Sequence, residues 1–189
     1  MEQKIKNIII FLNDIERLKS VTRHSWTSTG RQESVPEHCW RMALMAMILK
    51  ENFPGVDIAR VTEMCLIHDF GEVYDGDVPA FLKNSEHKLI EEKAIKKVIE
   101  PLSENLQNRI IAIYKEFEDW VTPEAKLAKA IDKLEVLIQH NEADISTWIP
   151  KEYELNLTHG LEYNKYNDFI KSFRNIVDQM TRDKILKRK

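Results

Sequence analysis

Apolar residues recur every three or four positions along almost the whole chain, broken only by short polar or proline-bearing stretches. That period belongs to helices buried along one face; strand side chains alternate every second residue instead. Only five glycines occur in 189 residues, so few positions favour tight turns. No segment alternates like a strand and no internal repeat is present. The expected fold class is all-α, a single-domain helical bundle.

The spacing predicts a first helix over 5–18, with Ile5, Ile8, Leu12, Ile15 and Leu18 on one stripe. A polar connection over 19–33 follows, long enough to suggest a functional loop. Ser34-Val35-Pro36-Glu37 has the form of a capping box with proline in the first turn. The helix it opens runs to about residue 52, where Phe53-Pro54-Gly55 ends it. Asp57 caps a third helix reaching about residue 73, and 75–79 is a turn. Further helices are predicted over 85–100, 103–120, 123–142 and 163–180. The tail over 184–189 is basic and expected to be solvated.

At 43% hydrophobic and 31% charged the chain reads as soluble and globular. A net charge of -3 supplies no basic field, so no nucleic acid partner is expected. The apolar run over 8–12 stops at Asn13 and Asp14, which argues against a signal peptide or a membrane span, and no membrane partner is expected. Cys39 and Cys65 make no disulfide framework, which suits a cytoplasmic location. Cys65 lies three positions before His68 and can approach a metal there, although a small buried side chain is the simpler reading.

Against this apolar background a few ionisable residues stand out. His38 lies near the capped helix start, His68 and Asp69 near the end of an apolar helix, and Asp132 inside the run Ala130-Ile131-Asp132-Lys133-Leu134. A carboxylate in such a run needs a partner: Lys133, a lysine on a neighbouring helix, or a metal. Two imidazoles and two carboxylates suit one divalent metal ion: manganese, cobalt, iron, zinc, nickel or magnesium, the imidazoles arguing mildly against the last. Glu72 follows His68 by four positions and Asp69 by three, so a continuous helix puts all three on one face. A carboxylate beside a metal is a candidate to handle protons. The pattern suggests a metal-dependent hydrolase. No His-Glu-x-x-His, Cys-x-x-Cys or Gly-x-Ser-x-Gly is present.

Glu37-His38, His68-Asp69 and Asp132 together resemble the HD-domain phosphohydrolases. Glu33-Ser34-Val35-Pro36-Glu37-His38, Arg41-Met42-Ala43 and the run His68-Asp69-Phe70-Gly71-Glu72 through Gly76-Asp77 are closer to the 5'-deoxynucleotidase branch, which holds the bacterial YfbR-like enzymes and the eukaryotic HD-domain-containing protein 2. The resemblance covers about 11–142.

It implies one HD domain over 1–189, with a metal-site core over about 34–142 and a C-terminal helix over 163–180. It further implies hydrolysis of deoxynucleoside 5'-monophosphates, with His38, His68, Asp69 and Asp132 as metal ligands. Glu72 and Asp77 match catalytic acidic residues. Arg23 and Trp26 match an arginine and an aromatic that shape the nucleotide pocket. Those two are adjacent in the bacterial enzymes; here His24 and Ser25 separate them, as in the eukaryotic-like members. Arg41 and Lys133 are further candidates for phosphate contact, against the plainer reading of surface or intrahelix ion pairs. Gly71 is read as room for a phosphate. His24, His87, His140 and His159 read as surface or pocket-rim residues. Trp120 and Trp148 leave apolar area that points to a homodimer, or else complete the monomer core. Alternative functions are hydrolysis of another small phosphate ester or phosphodiester, and a non-catalytic nucleotide-binding module.

Overall fold

A computed structural model describes residues 1–187. Its elements are α1 (Glu2–Ile15), β1 (Thr22–Trp26), β2 (Gln32–Ser34), α2 (Val35–Leu49), α3 (Ile58–Ile67), α4 (Ser85–Ile99), α5 (Glu104–Asp119), α6 (Pro123–Glu142), α7 (Glu152–Thr158) and α8 (Asp168–Lys187). The fold is mostly helical, as the apolar period requires. The helix starts are chemically marked. Glu37 accepts hydrogen bonds from the backbone N–H (2.9 Å) and the hydroxyl (3.0 Å) of Ser34, opening α2. Asp57 accepts from the N–H groups of Ala59 and Arg60 at α3, and Thr122 from that of Ala125 at α6. Each such cap contributes about 1 kcal/mol.

The long polar connection is not an open loop. Its ends pair as an antiparallel ribbon, with Thr22 opposite Ser34 and Trp26 opposite Gln32. Gly30 turns at φ 84°, a left-handed conformation that glycine adopts without strain.

Two apolar cores hold the bundle. In the larger, Met42 of α2, Val61 and Met64 of α3, Leu127, Ile131 and Leu134 of α6, and Ile170 of α8 are fully buried. In the smaller, Ile95, Val98 and Ile99 of α4 meet Val35 and Val73. Each such side chain contributes roughly 1.5–3 kcal/mol by leaving water. The α6 helix runs through the middle, and its buried residues include the polar Asp132, Glu135, Gln139 and His140.

Several predicted boundaries shift. The first helix spans Glu2–Ile15 rather than 5–18, with Leu18 on a 3₁₀ turn after it, and α2 ends at Leu49. The α3 helix ends at Ile67 rather than near residue 73; Asp69 leaves the helical region (φ -99°, ψ 14°) and Phe70–Glu72 forms a 3₁₀ turn. The last helix starts at Asp168, after the short α7. Within the predicted basic tail, Lys184 lies on α8 and donates to the Asn141 carbonyl (3.1 Å), while positions 188 and 189 lie outside the described residues. Trp148 is buried and donates to the His140 carbonyl (3.0 Å), and Trp120 packs edge-on against Tyr163, so both complete this chain's own packing. Among the described residues no helix is long and apolar enough to cross a membrane.

Candidate metal centre

Helices α2 and α6 and the C-terminal end of α3 bring four side chains to one point. His38 Nε2 lies 3.4 Å from Asp132 Oδ1 and 4.0 Å from Asp69 Oδ2. His68 Nε2 lies 3.2 Å from the same Asp69 oxygen. One donor atom each of His38, His68 and Asp69 falls within 4.8 Å of the others.

The far sides of both rings are already occupied. His38 Nδ1 is held by the Glu135 carboxylate, and His68 Nδ1 by the Cys65 carbonyl at 3.1 Å. Both partners are acceptors, so they assign the proton to Nδ1 and leave a lone pair on Nε2. The two Nε2 atoms then face the Asp69 and Asp132 carboxylates, and among the described residues His38 Nε2 is buried without a hydrogen bond. A cation satisfies such a cluster, so the residues present fit a divalent ion. The local field favours positive charge at this point, whether a proton on Nε2 or a metal ion. Burial and Arg23 lower the His38 pKa, yet Glu135 and Asp132 outweigh them and raise it to about 9. Burial pushes Asp69 up, but His68 and Arg23 hold it well below the carboxylate range. Burial likewise opposes Lys133 and His38 at Asp132, which ends far below that range.

His68, Asp69 and Asp132 form part of the wall of a cavity of about 370 Å³. Glu72, carried by the 3₁₀ turn rather than by a continuing helix, lines the same cavity and is 1% exposed. Burial, with the charges of Asp69 and Asp77, pushes its pKa up to about 9. Lys83 donates to Glu72 Oε1 (3.2 Å) and reaches Glu91 on α4 (2.9 Å), while Glu72 Oε2 has no hydrogen bond. Gly71 has a role different from the expected one. A Cβ there would stand 2.6 Å from Glu91 Cβ, so the glycine makes room for α4 and not for a phosphate. Asp77 follows the left-handed Gly76 (φ 86°) and also lines the cavity.

Of the four expected substrate contacts, two line the cavity. Arg23 Nη1 donates to Asp69 Oδ2 (3.1 Å), and Lys133 Nζ sits 2.9 Å from Asp132 Oδ2. Trp26 and Arg41 do not line it. The Trp26 carbonyl accepts from Gln139 (2.7 Å), and Arg41 donates to Gln139 (2.8 Å) and Glu142 (2.7 Å), the ion-pair role weighed against phosphate binding. His24, His140 and His159 face the cavity, whereas His87 caps the start of α4. The Cys65 thiol is fully buried outside the ligand cluster; its carbonyl is what serves the site. Sequence reasoning missed Glu135, although it follows Asp132 by one helical turn. It also missed Lys83, Glu152 and the Lys129–Glu118 pair (2.7 Å), which no local spacing marks.

The HD domain family model matches residues 15–174. The chain belongs to the HD domain family. Among its relatives, the human protein named 5'-deoxynucleotidase HDDC2 is 34% identical over 142 residues, 72% of this chain and 68% of that one. The Schizosaccharomyces pombe protein named 5'-deoxynucleotidase hdd1 is 31% identical over 175 residues, covering 83% and 87%. A solved structure of a predicted metal-dependent phosphohydrolase from Magnetospirillum magnetotacticum MS-1 superposes with a TM-score of 0.82 at 25% identity, covering 97% of this chain and 95% of the other. HD-domain membership, with this donor set, implies a divalent ion in the cluster.

Proposed function

We propose that this chain is a metal-dependent 5'-deoxynucleotidase, which hydrolyses deoxynucleoside 5'-monophosphates to deoxynucleoside and phosphate. His38, His68, Asp69 and Asp132 hold the ion, which is manganese, cobalt, iron, zinc, nickel or magnesium. The observation that carries the reading is the convergence of two Nδ1-anchored imidazoles and two carboxylates on a cavity that also holds the buried acid Glu72. The names of the relatives supply the substrate class.

When bound, the divalent ion supplies Lewis acidity to the attacking water and to the phosphoryl oxygens. The chain's own residues do the rest. Arg23 and Lys133 present N–H donors to the phosphate and offset its charge. Glu72, fixed through Oε1 by Lys83, offers Oε2 to hold or move a proton at the attacking water. Asp77 steadies that network or delivers a proton to the leaving 5'-oxygen. Walls from Phe117 and Val136 exclude bulk water around the reacting group.

The test is phosphate release from deoxynucleoside 5'-monophosphates and matched ribonucleotides, across a metal panel, with wild type and Glu72→Ala each checked for bound metal. Metal-dependent release, selective for the deoxy form and lost in the variant, is expected. No release from metal-loaded wild type would overturn the assignment and leave another phosphate ester or a binding role.

The chain is further read as a cytoplasmic homodimer. Two free buried cysteines suit a reducing compartment. Trp40, Met47 and Ile48 on α2 are exposed and supply apolar area for a partner copy. A monomer in sedimentation velocity would remove the dimer.

A further inference from the structure

The cavity is longer than a phosphate needs, and its two ends differ. On α6, Lys129, Asp132, Val136 and His140 line it in successive turns. At 1.5 Å per residue, His140 stands about 12 Å along the axis from the candidate ligand Asp132. A nucleoside monophosphate covers that span from its phosphorus to the far edge of its base. The Lys129 end is ionic, with Glu118 bridging Lys129 (2.7 Å) and Lys88 (2.8 Å). The His140 end is walled by Phe81 and Leu155 and carries few charges.

One buried acid at the His140 end has no lysine or arginine partner among the described residues. Glu152, the first residue of α7, is 2% exposed. Its Oε2 accepts from the Ile149 N–H (2.8 Å). Its Oε1 lies 3.1 Å from His24 Nε2 and 3.6 Å from His140 Nδ1. A carboxylate oxygen has two lone pairs, so these contacts leave Oε1 with spare capacity. His24 Nε2 makes no hydrogen bond although it is buried, and His140 Nδ1 takes its hydrogen bond from the Asn156 amide (3.3 Å). Burial, with the His24 and Arg23 charges nearby, lowers the His140 pKa to about 4, so that ring is neutral and offers no compensating charge. A buried acceptor facing a substrate cavity with spare capacity calls for a donor on the substrate.

We propose that this end is the base subsite, and that Glu152 Oε1 accepts a hydrogen bond from the exocyclic amino group of cytosine or adenine. Uracil, thymine and hypoxanthine carry a carbonyl at the corresponding position and set acceptor against acceptor. Phe81 and Leu155 supply the apolar walls for the ring. The inference rests on the nucleotidase reading.

The experiment compares two matched pairs, dCMP with dUMP and dAMP with dIMP, in turnover and in calorimetric binding to the metal-loaded enzyme. Wild type is expected to favour the amino member of each pair by at least about tenfold in kcat/KM. In Glu152→Gln that ratio should fall by about tenfold, because a side-chain amide can present its own N–H to a carbonyl. A structural role for Glu152 would slow all four substrates alike and leave the ratios in place, which overturns the proposal. So does a wild-type ratio near one, which needs no variant at all. If metal-loaded wild type neither binds nor hydrolyses any of the four, the nucleotidase reading fails and takes the base subsite with it.

Discussion

The two walls of the metal-side cavity are built by different means. One wall is carried by helices: His68 as the cap of α3 and Asp132 on α6, with His38 of α2 3.4 Å from Asp132, each flanked by fully buried side chains such as Met42, Met64 and Ile131. The other is carried by a 3₁₀ turn and a loop: Glu72, Asp77 and Lys83, with α4 seated close against Gly71. Helical packing fixes the position of a side chain through many apolar contacts. The turn itself is anchored by Phe70, Val73 and Tyr74 in the smaller core, but its functional side chains Glu72 and Lys83 are set by ion pairs rather than by apolar packing. The first wall therefore suits holding an ion rigidly, and the second suits groups that move protons and receive substrate.

Breaking the helix-borne wall should have the largest effect. Asp132→Asn is expected to abolish bound metal and to lower nucleotide hydrolysis by at least about 10³-fold, several kcal/mol of lost charge stabilisation. Elemental analysis beside the phosphate assay checks both. Chelation of the wild type should lower its unfolding free energy by about 3 kcal/mol, relative to ion present at a hundred times its Kd. Next in size is Glu135→Gln, which leaves the four proposed ligands intact but weakens the hold on His38 Nδ1. Metal affinity should fall about 10–100-fold, with activity restored by excess metal. A variant that binds metal as tightly as wild type would show that packing alone orients the ring.

How legible each wall was in the sequence follows from the same contrast. His38, His68, Asp69 and Asp132 are conspicuous because each interrupts an apolar helical stripe, and a stripe can be read locally. The break after Ile67 has no glycine or proline at its start, so the run through Phe70 reads as continuous helix. The role of Gly71 depends on α4, which docks from twenty positions downstream. Arg41 and Lys133 look alike in sequence. Only the fold separates them, by placing Glu142 and Gln139 beside Arg41 and the cavity beside Lys133. The ribbon over 22–34 escaped notice because its strands are short and their register is irregular.

Gly71→Ala tests whether the turn-borne wall is separable. The added Cβ meets Glu91 Cβ and backbone, which cannot swing away as a flexible side-chain end would. Destabilisation of about 1–3 kcal/mol is expected, by urea unfolding. Turnover should also fall, because Lys83 bridges Glu91 to Glu72. Metal content should not change. If metal is lost too, the two walls are mechanically one.

The smallest effect divides the helix-borne wall along α6 itself. Asp132 and Glu135 sit where positive charge is favoured; two turns on, His140 sits where it is not. Burial, then the charges of His24 and Arg23, depress the His140 pKa from 6.5 to about 4. Between those values the unfolded chain binds the proton and the folded chain excludes it. The stabilisation from this group is therefore complete above pH 6.5 and is lost as the pH falls toward 4. The slope is at most about 1.4 kcal/mol per pH unit. His159, depressed to about 4 by burial and Lys133, adds a slope of the same sign. Urea unfolding across this window should show His140→Asn with a shallower acid slope than wild type by close to one proton. An unchanged slope would mean that His140 is charged in the folded chain, with Glu152 as its partner. That acid would then have no free oxygen for a base, so the titration bears on the cavity's far end as well as on stability.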